Sequence, residues 1–337
     1  MKKVLAIIGL GPMGRRHLEA AKSLNKFKII ICDLNKNTTN QYNLKTYNNW
    51  KTLIKNEQID ILIIATNADS HYDIASFAIK NKIKRILCEK PLTTSILQGE
   101  KLKKLIFKNK TLFAVNHIRR WSDSYKKIKQ LINENRFGKI VQIYFDMGGG
   151  QLTSNGGHLF DLARYLTNSE PKKIFAKIDD KKTPHPRGKK FIDPGGYGIL
   201  LMKNKSRILF DMSEDYGTPA IIKILCEYGY ILIDEKNKYW RCFARTKKDK
   251  KLPLTKRPNL IQIPFKGHGM INMIKSSKLS IKNLMAAKTN FMIKCGIDDG
   301  IKSIEIPIGA NISSKKNSYV NFPIKNLKIK KKIFKFT

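Results

Sequence analysis

The first third of the chain alternates short, almost wholly apolar runs with stretches of helical character. The apolar runs lie at residues 3–8, 28–32, 59–65, 83–88 and 112–116. Strands that are apolar on both faces and separated by helices are typical of a parallel sheet covered on both sides. We therefore expect residues 1–120 to form an α/β domain with a doubly wound parallel sheet.

The remainder of the chain, residues 121–337, has a different pattern. Strand-like runs follow one another after short turns, near residues 139–146, 172–178, 197–202, 207–212, 220–226, 230–233, 239–244 and 260–265. Many consecutive strands indicate an antiparallel or mixed sheet. We expect a C-terminal α+β domain with an open, mainly antiparallel sheet. We also expect the basic tail from Lys325 to form a last strand.

Length and composition narrow the class of protein. The 337 residues suffice for about two domains, and no apolar run approaches the ~20 residues of a membrane-spanning helix. The start resembles a signal peptide but lacks the small-residue cleavage pattern, so a buried first strand is the simpler interpretation. The five cysteines stand singly without metal-ligand spacing, which favours reduced thiols, a cytoplasmic location and no metal site.

The net charge of +40 is the usual sign of a nucleic-acid-binding protein. However, the lysines are spread along the whole chain without an aromatic-interleaved RNA signature or a zinc-finger spacing. A general compositional drift explains this distribution better, so we expect no specific nucleic-acid partner and no membrane partner. The charge would still concentrate anionic small molecules near the protein.

A glycine-rich turn follows the first apolar run and opens a helical stretch. Gly9, Gly11 and Gly14, with Pro12 and Met13 between them, fit the G-x-G-x-x-G pattern of a Rossmann dinucleotide site. The phosphates of the dinucleotide would lie at the helix N-terminus, where free N–H groups favour an anion. The alternative is an ordinary glycine-rich turn between a strand and a helix.

Asp33 ends the second apolar run at the distance expected of the residue that binds the adenosine ribose. Its carboxylate would accept from the ribose hydroxyls and repel a 2′-phosphate, so NAD is favoured over NADP. Lys36, three positions on, would soften this preference.

Two further loops follow strands and should line the ligand crevice of the sheet. The first contains Thr66, Asn67 and His71, where His71 either contacts the cofactor or caps the next helix. The second contains Glu89 and Lys90, and Lys90 precedes a proline, so this peptide bond is a candidate for the cis form.

These motifs occur in an order that resembles one family, the Gfo/Idh/MocA oxidoreductases (glucose-fructose oxidoreductase, inositol dehydrogenase and rhizopine catabolism protein). The resemblance covers nearly the whole chain. It rests on GLGPMG, ATNADSH, CEKPL, NHIRRW, GKIVQIYFDMGGG, GHLFDLAR and CGIDDG.

The resemblance implies a Rossmann domain that binds NAD or NADP and an open-sheet domain that binds a sugar, polyol or related alcohol. It implies that Lys90 contacts the reacting hydroxyl and the cofactor, and that His158 acts as the acid/base. Many members place an aspartate four residues before this histidine, where this chain has Ser154, or Asn155 if the alignment slips by one. Ser or Asn can only hydrogen-bond, whereas a carboxylate would stabilise the imidazolium.

The remaining expectations concern roles around these groups. Arg120 and Trp121 either contact substrate or pack between elements, and Asp161 is expected to be a structural partner. The predicted cofactor contacts are Gly9, Gly11, Pro12, Met13, Gly14, Asp33, Thr66, Asn67, His71, Glu89, Lys90 and Asn116. The predicted substrate contacts are Lys90, Arg120, Trp121, Ser154, Asn155 and His158.

Three functional interpretations remain open on the sequence alone. The first is an NAD-dependent dehydrogenase of a sugar, nucleotide-sugar or polyol, assembled as a homodimer or homotetramer through the second domain. The second is a reductase of a ketose, an unsaturated substrate or an imine on the same fold. The third is a non-catalytic NAD-binding partner protein.

Overall fold

A computed structural model describes residues 2–180, 185, 188–269 and 271–335. The chain divides into two compact units. The first contains the described residues up to Trp121 together with Asn272–Ile304 and 326–335, and the second contains those of Ser122–Ile271 and Glu305–Lys325. The sequence predicted a single division of the chain, between residues 120 and 121. The first unit, by contrast, also includes Trp121 and two later segments, Asn272–Ile304 and 326–335.

The first unit is built on a parallel sheet of six strands among the described residues, in the order β3-β2-β1-β4-β5-β6. The strands are β1 (Lys3–Ile8), β2 (Phe27–Cys32), β3 (Lys45–Tyr47), β4 (Ile61–Ile64), β5 (Arg85–Cys88) and β6 (Leu112–Val115). The doubly wound parallel sheet is confirmed. The short edge strand β3 was not predicted, because its exposed and half-exposed side chains leave no apolar run.

The α-helices in the described part of the chain alternate with these strands and continue beyond them. They are α1 (Pro12–Lys22), α2 (Lys36–Thr39), α3 (Trp50–Asn56), α4 (Ala68–Lys80), α5 (Ile96–Lys108), α6 (Asp123–Asn133), α7 (Gly156–Thr167), α8 (Met273–Ala286), α9 (Ile297–Lys316) and α10 (Leu327–Lys331). None of these helices combines the length and the apolar character that crossing a bilayer requires.

Alternate residues of the parallel strands supply two separate cores. Ala6 and Ile8 of β1 join one core with α4 and α5, whereas Leu5 and Ile7 join the other with α1. The second core also contains Ile281 and Leu284 of α8, which explains why this distant helix belongs to the first unit. Burial of one such side chain stabilises the fold by about 1.5–3 kcal/mol.

The second unit contains a mixed sheet of nine strands among the residues described, in the order β14-β13-β12-β11-β7-β10-β9-β8-β15. The strands are β7 (Ile140–Asp146), β8 (Pro171–Ile178), β9 (Gly196–Met202), β10 (Arg207–Asp211), β11 (Ile221–Cys226), β12 (Gly229–Asp234), β13 (Tyr239–Ala244), β14 (Ile261–Ile263) and β15 (Val320–Asn321). Only the pair β7–β10 is parallel among them. The mainly antiparallel sheet is therefore confirmed.

One face of this second sheet packs against helices. Phe160 of α7 contacts Phe210 of β10 edge to face, with ring centroids 5.1 Å apart. The Cα of Gly309 in α9 packs so closely that an added Cβ would lie 3.3 Å from Ile174 of β8. Alternate strand residues on the other face, such as Leu209, are partly exposed.

The prediction of a last strand in the basic tail was wrong. Residues Leu327–Lys331 form the short helix α10, which Asn326 caps by accepting from the N–H of Ile329 at 3.1 Å. Lys330 in this helix donates to Glu100 of α5 at 2.6 Å. Because Asn is a strong helix N-cap and lysine is a good helix former, local chemistry outweighed the apolar alternation of the tail.

Candidate active site

The glycine turn between β1 and α1 is shaped by two close approaches of backbone. Gly9 has a φ of +91° and donates its N–H to the carbonyl of Cys32 at 2.8 Å. A Cβ on Gly14 would lie 1.9 Å from the carbonyl oxygen of Gly9. The turn therefore needs glycine at both positions, and α1 starts directly against the end of β1.

Gly11 stands at the N-cap of α1 and has a different environment. A Cβ added there would meet no heavy atom within 4 Å, and no side chain caps the helix. Pro12 follows as the first helical residue, so the N–H groups that need partners begin with Met13. An open helix N-terminus with uncapped N–H groups fits the pyrophosphate of a dinucleotide.

Asp33 follows β2 and bonds to the same turn. One carboxylate oxygen, Oδ2, accepts from the N–H of Leu10 at 2.7 Å, and Oδ1 accepts from the N–H of Asn35 at 2.9 Å. The half-exposed carboxylate is thus fixed beside the glycine turn. This is the place where a ribose next to the pyrophosphate would be bound.

The loop after β4 adds Thr66, Asn67 and His71. Thr66 is half-exposed and accepts from Ser70 through its hydroxyl at 2.7 Å, and Asn67 is exposed at the N-cap of α4. His71 lies inside α4, fully buried, with Nδ1 2.9 Å from the carbonyl of Pro91 and Nε2 3.1 Å from that of Thr66. It therefore connects two loops and does not cap the helix; its contact with a cofactor stays a prediction.

Glu89 and Lys90 follow β5. The Lys90–Pro91 peptide bond is cis, as the sequence suggested. Glu89 is 4% exposed, and its Oε1 accepts from Asn116 Nδ2 at 2.7 Å. Burial acts to raise the pKa of this carboxyl, but the hydrogen bonds of His17 and Asn116 and the charge of Lys90 outweigh it and lower the pKa.

Glu89 and Asn116 thus contact each other, and Lys90 is half-exposed. The Oδ1 atom of Asn116 is buried without a hydrogen-bond partner among the described residues. This acceptor, on the hydrogen-bond partner of Glu89, is one polar group available to a bound molecule or a water.

Arg120 and Trp121 lie in a short 3₁₀ helix of the first unit. Arg120 donates to Asp299 at 2.7 Å and to the carbonyl of Lys294 at 2.8 Å. Trp121 is 5% exposed, with the Lys294 ammonium 5.8 Å from the centroid of its ring. These contacts support the packing alternative for both residues, and a substrate contact stays a prediction.

His158 lies in the first turn of α7 in the second unit and is half-exposed. The loop before it is held by Asp193, whose carboxylate accepts from the N–H groups of Thr153 at 2.8 Å and Ser154 at 2.7 Å. Many family members have an aspartate at position 154, where this chain has a serine. Here the buried carboxylate of Asp193 instead binds the backbone N–H of that position.

The structure brings the predicted cofactor contacts together at the carboxyl ends of β1, β2, β4, β5 and β6. Ser154, Asn155 and His158 are likewise adjacent in the second unit. Asp161 is fully buried and lies 3.4 Å from the Arg164 guanidinium, in agreement with a structural role.

Sequence reasoning missed two polar residues at these places. His17 lies 2.7 Å from Glu89, and Asp193 binds the loop before α7. The spacing of His17, one helical turn after Gly14, was a usable signal for a residue on the buried face of α1. Nothing local to Asp193 indicated its partners.

Comparison with known proteins gives a consistent result. The sequence profile of GFO_IDH_MocA, described as the oxidoreductase family with an NAD-binding Rossmann fold, matches residues 3–117. The myo-inositol 2-dehydrogenase of Thermotoga maritima is 24% identical over 191 residues, which are 51% of this chain and 57% of that protein. The inositol 2-dehydrogenase of Salmonella paratyphi B is 25% identical over 66% of this chain and 68% of its own length.

The aligned region thus spans little more than half of the Thermotoga relative. Among solved structures, levoglucosan dehydrogenase in complex with NADH superposes with a TM-score of 0.81 at 16% identity, over 96% of this chain and 100% of that chain. At this identity the likeness shows the shared fold.

Proposed function

We propose that this chain is a Gfo/Idh/MocA oxidoreductase and acts as an NAD-dependent dehydrogenase of a sugar, nucleotide-sugar or polyol. The match of residues 3–117 to the oxidoreductase family with an NAD-binding Rossmann fold supports this proposal. The observation that carries the proposal is the open N-terminus of α1 at Gly11 beside the fixed carboxylate of Asp33. Relatives named inositol 2-dehydrogenase support a polyol-like substrate.

The chemistry assigns one task to each of two side chains. When bound, NAD supplies an acceptor for the hydride of the substrate C–H bond. The Lys90 ammonium hydrogen-bonds the substrate oxygen and favours the alkoxide that forms as its proton leaves. The His158 imidazole accepts that proton, so the alcohol becomes a carbonyl and the proton is held on the ring. Reduction of a ketose is the same sequence in reverse.

The cofactor preference is proposed to be NAD over NADP. Asp33 keeps one oxygen on Leu10 N–H and one on Asn35 N–H, and each oxygen retains acceptor capacity for a ribose hydroxyl. A 2′-phosphate in that place would be repelled by the same carboxylate.

The decisive experiment is a substrate scan in which the purified protein is incubated with NAD and aldoses, inositols and nucleotide-sugars while absorbance of NADH is recorded. His158→Ala should slow turnover by about 10²–10⁴-fold without weakening the binding of NAD. Lys90→Ala should lower both turnover and substrate affinity. His268→Ala is the matched control, because that side chain is exposed and the hydrogen bonds of His268 to Trp240 and Ser124 are made by its backbone.

Three results would contradict the proposal. NAD binding without turnover of any substrate favours the non-catalytic alternative. Turnover only from NADH toward an imine or an unsaturated compound favours the reductase. Full activity of His158→Ala removes the assigned proton acceptor.

We further propose a homo-oligomer formed through the partly exposed face of the second sheet. Apolar side chains including Ile199, Leu209 and Leu232 lie in register on that face, and a second copy would remove them from water. Leu209→Glu should lower the mass measured by light scattering.

A cytoplasmic location is proposed from the five free cysteines.

A further inference from the structure

One polar contact in the core of the first unit has no part in the chemistry proposed above. His17 of α1 is fully buried, and its Nε2 lies 2.7 Å from Oε1 of Glu89. A carboxylate can only accept, so His17 donates through Nε2. The other ring nitrogen, Nδ1, is buried without a hydrogen-bond partner among the described residues.

The local sequence explains how His17 reaches this position. It lies three residues after Gly14, on the same face of α1, and Gly14 lets the helix approach the end of β1. Leu18, Ala20 and Ala21 fill the rest of the buried face of α1. Apolar residues therefore satisfy the packing of this helix face, and packing by itself does not explain a histidine at position 17.

Glu89 joins three segments through one carboxylate. Its Oε1 accepts from His17 on α1 and from Asn116 Nδ2, after β6, at 2.7 Å. Its Oε2 accepts from the backbone N–H of Lys90 at 3.3 Å. The helix that starts at the dinucleotide turn is thus linked by hydrogen bonds to the backbone of Lys90.

We propose that His17 is a positioning residue that acts through Glu89 on Lys90. It keeps the Glu89 carboxylate ionised and turned so that Oε2 remains on the Lys90 N–H, which sets the direction of the lysine side chain. The inference rests on the proposed function, because it assumes the role assigned there to Lys90.

The electrostatic surroundings of Glu89 determine how this link responds to pH. His17 from α1 and His71 from α4 face it, and Cys88 and Lys90 are its neighbours in the chain. Without the donor from His17, burial is opposed by fewer groups, and the pKa of Glu89 rises. A protonated Glu89 carries an O–H that competes with the donors of Asn116 and Lys90.

The test compares His17→Leu, His17→Gln and Leu18→Ala. His17→Leu should lower kcat at pH 7 by about tenfold or more, because Lys90 is no longer held in its direction, and should move the acid limb of the kcat profile to higher pH. His17→Gln restores an N–H donor and should return the limb toward the parent. Leu18→Ala, a buried neighbour without polar contacts, should lower Tm and leave the limb in place. NAD affinity should change less than about threefold in all three.

A second readout does not depend on turnover. The pKa of Glu89 lies below its ordinary value of 4.5 in the folded parent, so its contribution to stability is present above that value and is lost as pH falls through the folded pKa. The Tm gap between parent and His17→Leu should therefore widen from about pH 4 to about pH 8. The gap for Leu18→Ala should stay constant.

The outcomes separate the inference from the proposed function. A constant Tm gap for His17→Leu, or a kcat that falls equally at every pH, overturns the positioning role. If the parent binds NAD but turns over no substrate, the proposed function fails, and the Tm gap still decides whether His17 holds Glu89 ionised. If His17→Leu does not fold, His17→Met replaces it in both measurements.

Discussion

Two glycines in one turn should respond in opposite ways to the same added methyl group. A Cβ on Gly11 meets nothing within 4 Å, and its φ of −62° suits any residue. Alanine is a weaker N-cap than glycine, which lowers the stability of the fold by up to about 1 kcal/mol. Alanine also restricts the unfolded chain more than glycine does, which raises the stability by about 0.4–1 kcal/mol. Gly11→Ala should therefore leave Tm within about 3 °C of the parent.

Gly11→Ala should weaken the binding of NAD, because the added methyl group occupies the space where the pyrophosphate approaches the backbone. Crowding of this kind costs about 1–3 kcal/mol, which corresponds to a Kd about 5- to 150-fold higher. Gly14→Ala places its Cβ 1.9 Å from the Gly9 carbonyl oxygen and should lower stability itself. Calorimetry and a fluorescence titration with NAD measure both effects. An unchanged Kd for Gly11→Ala would refute the assignment of this turn to a dinucleotide.

Three further predictions concern single side chains. Asp33→Asn should reduce the preference for NAD over NADP at least about tenfold in parallel titrations, since a unit charge pair at ~4 Å is worth about 4 kcal/mol before solvation; an unchanged ratio would contradict the role of the carboxylate. Asp193→Ala removes the acceptor of the Thr153 and Ser154 N–H groups. It should lower the free energy of unfolding, measured in urea, by about 2–4 kcal/mol, and Asp193→Asn should lower it by about half as much. Burial lowers the pKa of His71 below 6.5 although carbonyl oxygens lie beside both ring nitrogens, so protonation is less favourable in the folded state, which loses stability as pH falls below that value. The Tm of His71→Leu should accordingly fall less than that of the parent between about pH 7.5 and about pH 5.5, and parallel declines would show that another group titrates.

Most of the strands in the first unit follow from patterns within ten residues. Each parallel strand carries an apolar run, and alternate residues such as Leu5 and Ala6 enter different cores. The glycine spacing after β1 likewise predicted the turn, because steric limits on φ and on Cβ contacts are local. Strands β7–β14 of the second unit were recognisable for the same reason, whereas the two-residue strand β15 was not predicted.

Other elements depended on segments far away in the chain. Helix α8 packs its apolar residues Ile281 and Leu284 into a core of the first unit, although its sequence position follows the second sheet. An amphipathic helix carries no information about which sheet it will cover, so its placement was decided by which face remained open.

The candidate site divides along the same line. The residue types at Gly9, Gly11, Gly14, Asp33 and Lys90 were identifiable from order and spacing, because each acts through its own backbone position. The partners of the buried charges were decided by the tertiary structure. His17 meets Glu89 across 72 residues of chain, and Asp193 meets Ser154 across 39. A buried carboxylate needs donors wherever the fold can bring them, and local periodicity does not record which distant N–H will arrive.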